Sequence, residues 1–132
     1  MYLLDTNVII DIIRGKYPAL KKHFMQTRMS DIFIPAIVVA ELEFGAKHSN
    51  NYVENRKKFM DVIRNFKILP FTDNEAVCYG EIRQNLTSRG QVIGPNDLLI
   101  AATALANDGI LITHNTVEFN RVEKLSIEDW TE

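Results

Sequence analysis

Residues 2–15 read YLLDTNVIIDIIRG and contain the pattern that decides the fold. Tyr2–Leu4 is a short apolar run that the polar segment Asp5–Asn7 ends. Val8–Ile13 then predicts an apolar helix that stops near Gly15, a residue suited to a helix C-cap. A short apolar strand followed directly by a helix is the repeating unit of α/β proteins, so this stretch predicts the first such unit.

The same alternation continues along the chain. Further strands are predicted at Ile32–Ile34, Lys67–Leu69, Ile110–Ile112 and within Val122–Ile127. Helices are predicted from Pro18, after Pro35, between Val53 and Phe66, from Thr72 to about Ser88, and from Gly94-Pro95 to near Gly109. We therefore predict one α/β domain over residues 1–132, with a central, mainly parallel sheet of about five strands flanked by helices. Sites in such sheets gather at the carboxyl ends of the strands.

The bulk composition is that of an ordinary globular domain, with 46% hydrophobic and 24% charged residues. No stretch approaches the roughly 20 apolar residues that span a bilayer, and the first residues lack the features of a secretion signal. We therefore expect a cytoplasmic protein without a membrane partner. The formal net charge is −2, with 15 basic and 17 acidic residues. A nucleic-acid substrate would consequently need a local basic patch or a bound cation.

Asp5 and Asp97 both occupy helix starts in this reading, and each has two interpretations. Asp5 follows the first strand, where it is either the N-cap of the next helix or part of a site at the strand end. Asp97 lies on the first turn of the helix that Gly94-Pro95 opens, where it either interacts with the helix dipole or faces a site.

Glu41 and Glu118 also allow two interpretations. Glu41 falls on the same helical face as Val38, Leu42 and Gly45, so it is the charged member of an apolar stripe. A carboxylate there is costly unless it is paired or binds a metal, which leaves a structural salt bridge or a site role. Glu118 follows the fourth strand in a loop and short helix, where it is either solvated or part of the same site.

Convergence of these four carboxylates would require a cation to offset their repulsion. Oxygen-only ligands suit Mg²⁺ or Mn²⁺ rather than Zn²⁺, which prefers histidine and cysteine. The three histidines are scattered and show no ligand spacing.

The chain resembles the PIN-domain ribonucleases, and in particular the VapC toxins of bacterial type II toxin–antitoxin modules. The resemblance covers essentially the whole chain. It rests on Leu3–Asn7, on Ala40–Leu42 with Gly45, on Ile93–Ala101, on Thr113–Phe119 and on the closing segment Leu125–Trp130.

The resemblance implies a PIN-like three-layer sandwich with an acidic pocket that holds Mg²⁺ or Mn²⁺ and cleaves RNA. By motif position, Asp5, Glu41 and Asp97 match the three principal acidic residues. The supporting polar positions correspond to Thr6, Asn7 and Thr113. Many relatives have aspartate where this chain has Asn115, so the fourth acidic role is carried over to Glu118. All four acidic residues are expected to take part in metal binding and catalysis.

The resemblance also implies partners. The expected substrate is structured RNA, with the anticodon loop of initiator tRNA as the leading choice. A cognate VapB-type antitoxin is expected to cover the pocket, contact with DNA would be indirect through that antitoxin, and the chain should form a homodimer. Candidate phosphate contacts are Lys47, Arg56, Lys57, Lys58, Arg83 and Arg89, and a groove for the antitoxin could be lined by Ile9, Ile12, Ile13 and Phe44.

Two other functions remain open from the sequence. A PIN-like module that binds RNA or protein without catalysis would keep the fold and lose the acidic pocket, whereas the three principal carboxylates are present here. An α/β phosphatase using Mg²⁺ typically has an Asp-x-Asp arrangement at the first strand, but Asp5 is followed by Thr6 and Asn7.

Overall fold

The structure is a computed structural model that describes residues 1–132. The elements run in the order β1 (Tyr2–Leu4), α1 (Thr6–Arg14), α2 (Pro18–Gln26), a 3-10 turn (Met29–Asp31), β2 (Ile32–Pro35), α3 (Ala36–His48), α4 (Tyr52–Ile63), β3 (Lys67–Leu69), α5 (Asp73–Ser88), α6 (Pro95–Ala106), β4 (Ile110–Ile112), α7 (Thr116–Phe119) and β5 (Ser126–Glu128). No helix is both long enough and apolar enough to cross a membrane.

The five strands form one sheet in the order β3-β2-β1-β4-β5, and every neighbouring pair is parallel. The predicted α/β architecture is therefore confirmed, with a wholly parallel sheet. Adjacent residues of a strand point to opposite faces, and Leu3 and Leu4 of β1 are both 0% exposed. Leu111 and Ile112 of β4 are equally buried. Helices thus cover both faces of the sheet, which gives three layers.

The topology places a switch point between the two central strands. From β1 the chain moves outward through β2 and β3, and it then returns to place β4 on the other side of β1. The connections leave a crevice at the carboxyl ends of β1 and β4, where ligands bind in open α/β sheets. Asp5 and Thr113 directly follow these two ends, and the backbone nitrogen of Asp5 donates to Ile112 O at 3.0 Å.

Local sequence signals explain several helix boundaries. Pro18 and Pro95 lie at the first turns of α2 and α6, where proline lacks only a hydrogen that has no helical acceptor. Glu75 accepts from the backbone nitrogen of Thr72 at 2.7 Å, as in a capping box at the start of α5. Gly15 ends α1 in the left-handed region with φ of 64°, a conformation that glycine adopts without a steric penalty.

Three details of the structure refine the sequence prediction. The fifth strand, predicted within Val122–Ile127, is Ser126–Glu128, and Lys124 adopts a positive φ of 68° just before it. Helix α6 ends at Ala106, before Gly109. Gly45 is exposed, and the buried face of α3 is formed by Val38, Leu42 and Ala46.

Candidate active site

Asp5 is both a helix cap and a buried member of the crevice. It is 5% exposed, and its Oδ1 accepts from the backbone nitrogen of Thr6 at 2.7 Å, which caps α1. Its Oδ2 accepts from Thr113 Oγ1 at 2.9 Å, across the β1–β4 junction. Burial raises the pKa of Asp5, the two hydrogen bonds oppose that rise, and the charge of Glu41 adds to it. The two sequence interpretations of Asp5 are therefore compatible.

Glu41 lies at the border of the buried face of α3, half-buried and directed toward the crevice. Its Oε1 accepts from Thr6 Oγ1 at 2.7 Å, which links α3 to the start of α1. Glu41 takes part in none of the ion pairs of the structure, so the salt-bridge interpretation is wrong. A half-buried carboxylate without a basic partner is expected where a cation binds.

Asp97 and Glu118 are within hydrogen-bonding reach of each other in the crevice. The pKa of Asp97 is raised from 3.8 to about 7, first because the carboxyl is desolvated and next because it hydrogen-bonds to Glu118. The negative charges of Asp5, Glu118 and Glu41 raise it further. Two carboxyl groups can hydrogen-bond to each other only if one of them keeps a proton, and the raised pKa means that Asp97 keeps its proton up to near neutral pH without a cation.

Polar side chains fix the orientation of the carboxylates. Asn115 Nδ2 donates to Glu118 Oε2 at 3.3 Å, and the backbone nitrogen of Asn115 donates to Thr113 Oγ1 at 3.0 Å. Thr113 therefore connects Asp5 to the segment that carries Glu118. Asn7, which was predicted as a further supporting residue, is exposed and contacts none of the four carboxylates by hydrogen bond.

The donor set fits a hard cation held largely through water. No three acidic, histidine or cysteine side chains form a ready-made ligand group. Both oxygens of Asp5, one of Glu41 and one of Glu118 already accept hydrogen bonds from protein donors, which leaves Asp97 as the most available carboxyl group. Mg²⁺ commonly binds through one or two carboxylates and keeps several waters. Desolvation is the largest cause of the raised pKa of Asp97, and a cation would offset the repulsion by Asp5, Glu118 and Glu41 that raises this pKa further.

Comparison with known protein families shows to which family the chain belongs. Residues 2–125 match the family described as PIN domain. The chain belongs to the PIN-domain family. Among its relatives, Ribonuclease VapC2 of Rickettsia felis is 35% identical over 132 residues, and the alignment covers 98% of each chain. The tRNA(fMet)-specific endonuclease VapC of Shigella flexneri is 31% identical over 130 residues, again covering 98% of each chain.

Solved structures agree with this membership. The structure of VapBC2 from Rickettsia felis bound to a DNA fragment from their promoter matches with a TM-score of 0.91 at 33% identity, covering 98% of each chain. The PIN domain described here therefore has the fold of a VapC over essentially its full length.

Two cavities adjoin the acidic crevice of this PIN domain. The first, of about 450 Å³, lies between α1, α3 and α4; Ile13 and Leu42 line its wall, and Glu41 is also part of its lining. It contains only one of the four residues predicted for an antitoxin groove. Ile9 is fully buried in the core, Ile12 packs against the core, and Phe44 is 68% exposed.

The second cavity, of about 580 Å³, adjoins the crevice through Asn7 and Asn115 and contains basic residues that the sequence analysis missed. Arg14 and Lys16 line it, and neither makes an ion pair. Arg14 is the last residue of α1, which Asp5 caps, and Lys16 follows the C-cap Gly15. The position of two basic residues at the C-terminal end of the helix that Asp5 begins is the sequence signal that could have identified them.

All six predicted phosphate contacts have other partners within the PIN domain. Arg56 pairs with Glu43 at 2.7 Å. Within α4, Lys57 pairs with Asp61 at 2.9 Å and Lys58 with Glu54 at 3.6 Å. The remaining three contact neighbours on the protein: Lys47 lies over the Tyr52 ring, Arg83 bonds to Tyr79, and Arg89 bonds to Asn85.

Proposed function

We propose that this PIN domain is a metal-dependent endoribonuclease and the toxic member of a VapBC toxin–antitoxin pair. The observation that carries the proposal is the proximity of Asp5, Glu41 and Glu118 to Asp97 at one crevice, where desolvation and then these three carboxyl groups raise the pKa of Asp97 to about 7. A non-catalytic binding module has no need for such repulsion. The names of the relatives support nuclease activity, since they include ribonuclease and tRNA endonuclease at 31–35% identity.

The proposed chemistry is hydrolysis of a phosphodiester by water. A bound Mg²⁺, or Mn²⁺ in its place, would lower the pKa of a water and offset charge on the phosphate. Asp97 and Asp5 would hold the cation directly or through water, and Glu118 would complete the set. Glu41, held by Thr6, would orient the attacking water and accept its proton. In-line attack on phosphorus would leave 5′-phosphate and 3′-hydroxyl ends, without a catalytic histidine.

Hydrogen bonds within the crevice support these roles. Thr113 and the Thr6 backbone leave Asp5 a single orientation because both of its oxygens are bonded. Asn115 restrains Glu118 beside Asp97 in the same way. Carboxylates that are fixed before substrate arrives lose little conformational entropy on binding it, which favours the transition state.

The proposed substrate is structured RNA, with tRNA first and the anticodon loop of initiator tRNA as its leading site. This choice rests on the name of the Shigella flexneri relative, a tRNA(fMet)-specific endonuclease. The proposed partner is a VapB-type antitoxin, because the solved relatives are VapBC proteins, one of them bound to promoter DNA. Its tail would occupy the cavity between α1, α3 and α4 and extend toward Glu41. The toxin is expected to be a homodimer that reaches DNA only through the antitoxin.

The test is cleavage of total bacterial RNA and of purified initiator tRNA by antitoxin-free protein, with Mg²⁺, with Mn²⁺ and with EDTA. The informative variant is Asp5→Asn, because asparagine caps a helix as well as aspartate does while removing the charge. Asp108→Asn, at an exposed position after α6, is the matched control. We expect discrete fragments that require both metal and Asp5. Absence of cleavage by folded wild-type protein under every condition would instead favour the binding-module alternative.

A further inference from the structure

The cavity at the end of α1 has the features of a nucleotide-binding site. We propose that it binds one nucleotide of single-stranded RNA next to the scissile phosphate, with Arg14 and Lys16 on the phosphate and His114 against the base. This inference rests on the proposed function and extends it to substrate positioning. The cavity, of about 580 Å³, is large enough for a nucleotide and opens beside Asn7 and Asn115, which adjoin the acidic crevice.

The charge of the cavity supports a phosphate ligand. The protein as a whole carries a net charge of −2, and the crevice itself is acidic, so RNA has few places to make favourable backbone contacts. Lys58, which lines the neighbouring cavity, is already paired with Glu54. Arg14 and Lys16 are exposed and make no ion pair, although Lys16 Nζ lies 5.3 Å from the centroid of the Tyr17 ring. The one acidic residue in the lining is Asp11. A phosphate would therefore meet two basic groups that need not leave an acidic partner.

The aromatic side chains of the cavity support an adjacent base. The rings of Tyr17 and His114 contact each other, with centroids 5.5 Å apart. His114 Nδ1 lies 2.9 Å from Asp129 Oδ2 and 3.1 Å from Thr131 Oγ1, so the last residues of the chain hold its ring in place. The side chain nevertheless remains 54% exposed. An aromatic ring that is held still and open to solvent offers a face on which a base can stack with little loss of entropy.

The location of the cavity relates the nucleotide to the reaction. His114 directly precedes Asn115, which holds Glu118 beside Asp97. Arg14 belongs to the helix that Asp5 caps. A nucleotide bound here would thus be fixed by the same two segments that carry the carboxylates. We infer that Arg14, Lys16 and His114 are positioning residues for RNA.

The experiment measures binding of a fluorescein-labelled uridylate decamer by anisotropy, in EDTA so that no cleavage occurs, over a series of salt concentrations. Each lost phosphate contact should reduce the slope of log K against log salt by about 0.7, which corresponds to about fourfold weaker binding at physiological salt. Arg14→Gln and Lys16→Gln should each show this loss. Lys67→Gln is the matched control, because Lys67 is exposed and begins β3, at the opposite end of the sheet from the crevice.

A second probe separates base stacking from a structural role of His114. The same ribose-phosphate decamer without bases should bind wild-type protein about fivefold more weakly than the uridylate decamer. In His114→Ala this difference should disappear, whereas a variant that only loosened the chain end would weaken both probes equally. In cleavage assays, Lys16→Gln should raise KM and leave kcat unchanged, as expected for a contact made equally in the ground and transition states.

Several results would overturn the inference while leaving the nuclease intact. In the first, wild-type protein cleaves RNA, but Arg14→Gln and Lys16→Gln bind RNA as tightly as the control Lys67→Gln does. In the second, these variants bind purified antitoxin more weakly than wild type does, while their affinity for RNA is unchanged. That result would assign the cavity to the protein partner. If wild-type protein neither binds nor cleaves RNA, the proposed function fails together with the inference.

Discussion

Replacement of Asp97 by asparagine should stabilise the metal-free protein at neutral pH and abolish cleavage. The folded-state pKa of Asp97 is about 7, against 3.8 for the free side chain. A tenfold change in proton affinity is worth about 1.4 kcal/mol, so ionising this carboxyl in the folded protein costs at most about 4 kcal/mol. Because Asp97 is only half-buried, solvent screens part of this cost, and we expect about half of it, roughly 2 kcal/mol. An asparagine amide carries no charge and can donate to Glu118.

The pH dependence follows from the direction of the pKa change. Since the folded protein binds this proton more tightly than the unfolded chain, wild type loses stability as pH rises from 3.8 to about 7, and the penalty is complete above that. The advantage of Asp97→Asn should therefore be small at pH 4 and near its maximum at pH 8.

Urea unfolding in EDTA at both pH values measures this effect. Asp108→Asn is the control and should change the free energy of unfolding by less than about 0.5 kcal/mol. Mg²⁺ should raise the stability of wild type more than that of Asp97→Asn, because only wild type keeps the full charge. A variant that is less stable than wild type at pH 8, or equally stabilised at both pH values, would refute the reasoning.

Three further predictions concern neighbouring groups. Thr113→Val removes the hydroxyl that donates to buried Asp5, so it should lower the free energy of unfolding at neutral pH by about 1–3 kcal/mol, measured in urea, and weaken Mg²⁺-dependent cleavage. Glu118→Gln should lower the pKa of Asp97, because it removes a neighbouring charge and leaves an amide that can donate to the Asp97 carboxylate; an unchanged value in an NMR titration of the Asp97 carboxyl would contradict the pairing. Gly15→Ala should cost about 1 kcal/mol in thermal unfolding because of its positive φ, and a neutral effect would show that the turn can relax.

The sequence predicted the elements well because their signals are local. The capping box at Thr72, the prolines at helix starts and the glycine after α1 each act within a few residues, and each marks its boundary in the structure. The bounds of the fifth strand could be predicted only loosely, because a three-residue edge strand is too short to show alternation. Its start depends on the backbone of Lys124, for which the sequence has no glycine or asparagine signal.

The sequence indicated which residues form the candidate site, but not how their side chains contact one another. The motif positions of Asp5, Glu41 and Asp97 could be read from the chain, but the contact between Asp97 and Glu118 depends on how α6 and α7 pack at the sheet edge. The phosphate contacts stay a prediction, and the structure adds a constraint on them. Lys57 and Lys58 stand in a dense run of cations, and each pairs with an acid four residues away on the same helix, as the sequence spacing predicts.

The central position of β1 has a consequence for synthesis of the protein on the ribosome. The first strand made is paired on one side by β4, and Asp5 is hydrogen-bonded to Thr113, 108 residues later. A nascent chain that has not yet exposed β4 lacks half of the pairing around β1, and it also lacks Thr113 and Glu118. The crevice therefore assembles only after Thr113 and Glu118 have left the exit tunnel, and shorter nascent chains carry an incomplete set of carboxylates.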